Sequence, residues 1–219
     1  MESQPSSSTH IEATAPEPRW PAVIAVLAVA VLHAALPESL RFGPYWLLLA
    51  IVTALLIPAV ISHRRGNHFL NEVLGYILLG VLTAAMIASL AALVASLPYH
   101  RDSPQHLLLS ASSLWVANVL VFASWYWRLD AGGPNQRDKR GRHTDGAFLF
   151  PQMMLPSHKD RSWSPRFVDY LFLAFNSSTA FSPTDTPVLT RWAKLMMIIQ
   201  ASISLTTVVL LAARAVNIL

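Results

Sequence analysis

Gln200, Ser204, Thr207 and Arg214 fall at intervals of four, three and seven residues, so a helix carrying them puts all four on one face. An amide, two hydroxyls and a guanidinium in an otherwise apolar run have two uses in a bilayer. They hydrogen-bond neighbouring helices, or they line a wet path for an ion or small solute. Just upstream, Asn176, Ser178, Thr179, Ser182, Thr184 and Asp185 make a Ser/Thr-rich break with a single acid. Hydroxyls and carbonyls can replace part of a cation's hydration shell, and a carboxylate at a pore mouth concentrates cations. Irregular chain at membrane depth survives only where it is buried in protein or lines a wet cavity. These nine residues, Gln200, Ser204 and Thr207 among them, are therefore candidates for an ion path. Asp185 has a second role open to it, because Asp185-Thr186-Pro187 can cap and start the last helix.

Such residues need a membrane framework, and the composition supplies one. The chain has 219 residues, 53% hydrophobic and 13% charged, with a mean hydropathy of +0.43. Soluble domains carry about 25% charged residues. The windows 20–37, 42–63, 73–100, 103–127 and 195–213 contain no Asp, Glu, Lys or Arg. A span takes about 20 apolar residues. The expectation is an all-α integral membrane protein with five transmembrane helices and a short sixth or re-entrant helix near 166–182. Residues 1–18 read as a disordered tail, 19–128 as a four-helix region, 129–165 as a basic loop, and 166–219 as a pore-loop-like helix with the final span. Ahead of Arg19 the tail has Glu2, Glu12 and Glu17 and no Lys or Arg, unlike a signal peptide.

Arg64 and Arg65 lie between the second and third helices, and Arg128, Arg137, Lys139, Arg140, Arg142, Lys159, Arg161 and Arg166 crowd the segment after the fourth. The other connections hold Arg41 and Arg101. The positive-inside rule places both basic connections and the N-terminus in the cytoplasm of an inner (plasma) membrane protein. The pI of 9.8 then reflects topology and a lipid partner, not nucleic acid. Arg191 and Lys194 favour a re-entrant segment over 166–182, and Arg214 favours a sixth crossing. Of the two, the sixth crossing is preferred.

Helix three carries Gly75, Gly80, Ala84, Ala85, Ser89, Ala92 and Ala95, small residues that let helices approach closely. In helix four, Trp115, Asn118, Phe122 and Trp125 recur at helical spacing. Asn118 at mid-span reads as an interhelical hydrogen-bond partner, and Trp125-Tyr126-Trp127-Arg128 as an interfacial aromatic belt with a charged anchor.

The run Asp169-Tyr170-Leu171-Phe172-Leu173-Ala174-Phe175-Asn176-Ser177-Ser178-Thr179 resembles the pore helix of tetrameric potassium channels. Ser178 and Thr179 stand where that family has its threonine pair, Ala180 where it has valine, and Asp185 near its terminal acid. Phe181-Ser182-Pro183 replaces Gly-Tyr-Gly, the glycines that let filter carbonyls point inward. The resemblance implies a pore helix and inner helix in a homo-oligomer of four chains, without a potassium filter. The layout, with the Trp-Tyr-Trp-Arg-Leu-Asp-Ala-Gly-Gly-Pro exit from helix four, is also similar to a group of uncharacterised bacterial multi-pass membrane proteins.

Enzyme signatures are missing. No Gly-x-Ser-x-Gly, His-Glu-x-x-His or phosphate loop occurs, and of the Tyr-Asp and Gly-x-Gly-Asp pair of intramembrane aspartyl proteases, Asp169 is followed by Tyr and Asp185 lacks the glycines. The chain has no cysteine, and its histidines lack ligand spacing, so neither metal nor cofactor is expected. Two function classes stand: a pore or transport protein conducting a small cation as a homo-oligomer, and a non-transporting scaffold or partner-binding membrane protein.

Overall fold

A computed structural model describes residues 17–96, 104–140, 143, 145–154, 163–179 and 185–216. The tail over 1–16, Arg101, the stretch 180–184 with Ser182 and Thr184, and the side chain of Arg214 lie outside the described residues. The helices are α1 (Trp20–Ala34), α2 (Leu47–Arg64), α3 (His68–Ser96), α4 (Pro104–Leu129), α5 (Pro134–Arg137), α6 (Pro151–Met154), α7 (Phe167–Thr179) and α8 (Arg191–Val216). Among the described residues the only extended pairing is one antiparallel bridge, Phe148 to Val188.

Leu47–Arg64, His68–Ser96, Gln105–Gly132 and Arg191–Ala213 are long and apolar enough to cross a membrane. The expected fifth crossing, α1, is apolar but has fifteen residues, about 22 Å of helix. Among the described residues, four helices meet that length and composition, and the fifth is not confirmed as a crossing.

Helix α4 is the hub. It packs against α1, α3, α7 and α8. Its apolar window is 61% buried, compared with 17% for that of α8. The aromatic exit of α4 follows from this position. Tyr126 and Trp127 are buried inside the bundle, so the sequence expectation of an interfacial belt is corrected for them. Trp127 Nε1 donates to Glu17 at 2.8 Å, and Trp125 Nε1 donates to Thr83 at 2.9 Å.

Chain direction follows from the contacts. Arg19 at the start of α1 pairs with Asp138, and Asn135 Nδ2 donates to Asn71 in the first turn of α3 at 3.3 Å. At the other end, His33 of α1 faces Ser89 of α3 at 3.4 Å. Tyr170 in the first turn of α7 meets Asp130 just past α4, whereas Ser178 near its end meets Gln200 and Ser204 midway along α8. Trp192 in the first turn of α8 packs on Phe148, which also touches Tyr170. The strand-like segment ahead of α8 is tied to the same place, with Leu149 N donating to Pro187 O at 2.9 Å and Leu189 N to Ala147 O at 2.8 Å. Helices α7 and α8 therefore start at one end and run in the same direction. A sixth crossing would have required them to alternate, so that preference is corrected.

The shared end gathers the charge. Arg19, Arg64, Arg65, Arg128, Arg137, Lys139, Arg140, Arg166, Arg191 and Lys194 all lie at or near it, and Arg41 lies at the other. Because the protein has no cysteine, single substitutions can report sidedness. Arg65→Cys, Lys139→Cys and Leu189→Cys should react with an impermeant maleimide from one side of the membrane, and Phe42→Cys from the other. Labelling of Leu189→Cys together with Phe42→Cys would restore the sixth crossing.

Candidate functional site

The polar stripe of α8 faces inward, onto α4 and α7. Gln200 has no exposed surface, and its side chain makes three bonds. Its Oε1 accepts from the Tyr126 hydroxyl at 2.6 Å, and its Nε2 donates to Ala174 O at 2.7 Å and Ser178 Oγ at 2.9 Å. One turn on, Ser204 Oγ donates to Ser178 O at 2.6 Å and accepts from Trp115 Nε1 at 3.0 Å. Thr207, also fully buried, donates to Ser204 O at 2.8 Å. Asn118 Nδ2 donates to Gln200 O at 3.1 Å, while its Oδ1 has no partner.

The spacing explains this arrangement. Residues 200, 204 and 207 share one face of α8, and 174 and 178 share one face of α7. A buried amide without partners is costly, so an amide at mid-span selects a neighbour that can answer both ends of it. The seam closes α7 as well. The last four carbonyls of a helix have no partner within it, and Ser178 O receives its hydrogen from Ser204 on another helix.

Of the path candidates, Gln200, Ser204, Thr207 and Ser178 are thus brought together and turned into the protein. Asn176 is half-buried, and Thr179 is exposed with its hydroxyl donating to Phe175 O at 2.9 Å. Asp185 is exposed, and Thr186 beside it is buried.

A second polar cluster sits at the basic end, and sequence reasoning missed it. Asp130 has no exposed surface. Its carboxylate accepts from the Tyr170 hydroxyl at 2.6 Å and from Ala147 N at 2.5 Å, with His143 Nε2 3.7 Å away. Ala131, Gly132 and Gly133 all take positive φ, turning the chain sharply after α4. At Gly133 a Cβ would lie 2.7 Å from Arg128 O, which glycine avoids. Arg137 then reaches back, donating to Trp127 O at 2.8 Å and Asp130 O at 2.9 Å. Its other nitrogen pairs with Glu17 at 3.3 Å, and Glu17 also accepts from Phe167 N, the first N–H of α7, at 2.7 Å. The signal in the sequence was the acid directly after an apolar helix, followed by Ala-Gly-Gly-Pro. Glu17, within the stretch read as a tail, belongs to this network.

His143 packs edge-on to Trp163, and neither ring nitrogen has a hydrogen-bond partner. Burial pushes its pKa below the usual histidine value, the Asp130 carboxylate opposes that shift, and Arg137 and Arg140 reinforce it. Among the described residues no group of three potential metal ligands occurs. No family model, curated protein or solved structure matches the chain.

Two stability outcomes follow. Gln200→Leu leaves the buried Tyr126 hydroxyl without its partner and removes the bonds to Ala174 O and Ser178 Oγ, and should cost about 1–3 kcal/mol, whereas Asn118→Val should cost about 1 kcal/mol or less. Unfolding of purified protein in mixed micelles checks the order, and equal losses would remove Gln200 from the centre of the seam. The folded state holds His143 neutral more strongly than the unfolded chain does. Its contribution is therefore complete above the unfolded value of about 6.5 and declines as the pH falls below it. His143→Gln should flatten the fall in melting temperature on the acid side of that value. An unchanged slope would assign the pH dependence elsewhere.

Proposed function

We propose that this chain is a non-transporting scaffold or partner-binding protein of the membrane, in which α7 is a re-entrant half-helix fixed in place by α4 and α8. The observation that carries this reading is the occupancy of the polar stripe. Gln200, Ser204, Thr207 and Ser178 spend their donors and acceptors on one another, on Tyr126 and on backbone carbonyls within the chain. A stripe that conducts must offer those groups to a passing ion. Here an ion would have to break the seam that fastens three helices.

A second reading has its own support, in the common direction of α7 and α8. A short helix that enters and stops, followed by a long helix starting from the same side, is the arrangement of a pore loop and inner helix. The C-terminal end of a helix carries partial negative charge, which favours a cation beside it. One such segment cannot enclose an axial path, so this reading requires a closed ring of chains, four by the resemblance above. Its path would run between copies along Asn176, Thr179 and Asp185, with Gln200, Ser204 and Thr207 as supports behind it.

Reconstitution in liposomes separates the two. The scaffold reading expects no monovalent or divalent cation flux above that of protein-free vesicles. The pore reading expects flux that drops several-fold in Asp185→Asn, since Asn keeps the size of the side chain and removes the charge. Flux with that sensitivity, together with a crosslinked tetramer in native membranes, would overturn the scaffold reading.

A further inference from the structure

Between α1, α2, α3 and α4, at the basic end, lies a cavity of about 350 Å³, within the range of ligand sites of about 300–1,000 Å³. Val26, Val60, Leu78 and Leu79 give it apolar walls. Its rim carries Arg19, His63, Arg64 and Arg128, and among the described residues no carboxylate lines it. The four groups differ in what they already hold. Arg19 is committed to Glu17 and Asp138. Arg64 and Arg128 have no ion-pair partner among the described residues.

Arg128 is nonetheless fixed in place. It donates to Asn71 O at 3.2 Å, and its guanidinium lies over the rings of Tyr76 and Trp127 at 5.9 Å and 5.7 Å. Gly75 on α3 makes the slot for it, since a Cβ there would overlap the guanidinium. Glu72 acts on it from a distance without pairing. A positioned guanidinium without a counter-charge, at the head of an apolar cavity between membrane helices, has the form of an amphiphile site. Basic pockets between membrane helices at the cytoplasmic face take anionic lipid headgroups, and guanidinium forks bind phosphate oxygens in pairs.

We propose that this cavity binds an anionic phospholipid, with its phosphate held by Arg64 and Arg128 and an acyl chain lying between α1, α2 and α3. A free phosphate would leave the apolar walls unused, and a zwitterionic lipid would bring its own cation to a cationic rim. The proposal is independent of whether the chain conducts ions.

The test uses delipidated full-length protein in detergent, titrated with phosphatidylglycerol, phosphatidylcholine or soluble glycerol phosphate. Thermal stabilisation and quenching of tryptophan fluorescence by brominated lipid serve as readouts, because Trp20 and Trp127 line the cavity. Phosphatidylglycerol should stabilise and quench at concentrations where the other two do neither. Arg128→Gln and Arg64→Gln should each weaken its binding about tenfold, the scale of one charge-assisted contact. Lys194→Gln, an exposed charge at the same end and outside the cavity, should leave it unchanged. Arg64 is exposed, so its variant keeps the test valid if Arg128→Gln fails to fold. Val60→Phe, which narrows the cavity, adds no tryptophan and keeps every charge, should weaken quenching. Equal binding of both lipids, equal effects of Arg64→Gln and Lys194→Gln, unchanged quenching in Val60→Phe, or full competition by glycerol phosphate would each overturn the proposal.

Discussion

A helix that stops halfway along its neighbours must find partners for its last carbonyls inside the protein, and half of this fold is arranged around that need. Helix α7 has thirteen residues, about 20 Å. Its end lies beside the middle of α4 and of α8, at Trp115 and Ser204. Within its last two turns, Ser177 and Thr179 donate to carbonyls four residues back on α7 itself. From outside, Ser204 donates to Ser178 O, one of the last four carbonyls, and Gln200 donates to Ser178 Oγ and, one turn earlier, to Ala174 O. Only a helix parallel to α7, starting from the same end, can present residues 200 and 204 in register with 174 and 178. The direction of α8 and the closure of α7 are thus one constraint.

The same accounting governs the basic end. Helix α4 finishes at an abrupt turn, and the Trp127 and Asp130 carbonyls take their hydrogens from Arg137. Helix α7 begins with two N–H groups that need acceptors. Glu17 supplies one for Phe167 and Asp169 supplies one for Arg166. Asp130 then joins the loop after α4 to α7 through Ala147 and Tyr170. A buried charge in such a network is costly to strand, so each of these groups fixes the others. Chain from before α1, after α4 and before α7 meets within this one cluster.

The sequence reported the class of fold well and its pairing poorly. Charge-free windows give the long helices directly, because a span must exclude unpaired charge over about 20 residues. They do not fix sense, because a thirteen-residue helix reads equally as a short crossing or a half-helix. The deciding contacts, Leu149 with Pro187 and Leu189 with Ala147, join residues about 40 positions apart through backbone atoms that carry no side-chain signature. The grouping of Gln200, Ser204 and Thr207 on one face was legible, since helical spacing sets it. Whether that face met water or protein was not, since both environments select the same residue types. Asp130 was visible only as the acid of an exit motif. Its burial depends on Tyr170 and Ala147, which reach it by folding.

Hydroxyls and amides within a span therefore carry different information. Ser202 and Thr206 lie on the exposed face of α8, yet each donates to the carbonyl four residues back, at 2.8 and 2.9 Å. A serine or threonine can satisfy its donor on its own helix, so its presence says little about what the face meets. An amide has two donors and an acceptor in a fixed plane, and its own helix cannot satisfy them all. Gln200 must look outward from α8, and it finds Tyr126 on α4 and Ala174 and Ser178 on α7. Asn118 completes the contact from α4 by donating to the backbone of Gln200 itself. The two mid-span amides, Gln200 and Asn118, thus mark the place where three helices meet, whereas the hydroxyls of Ser202 and Thr206 mark only helix.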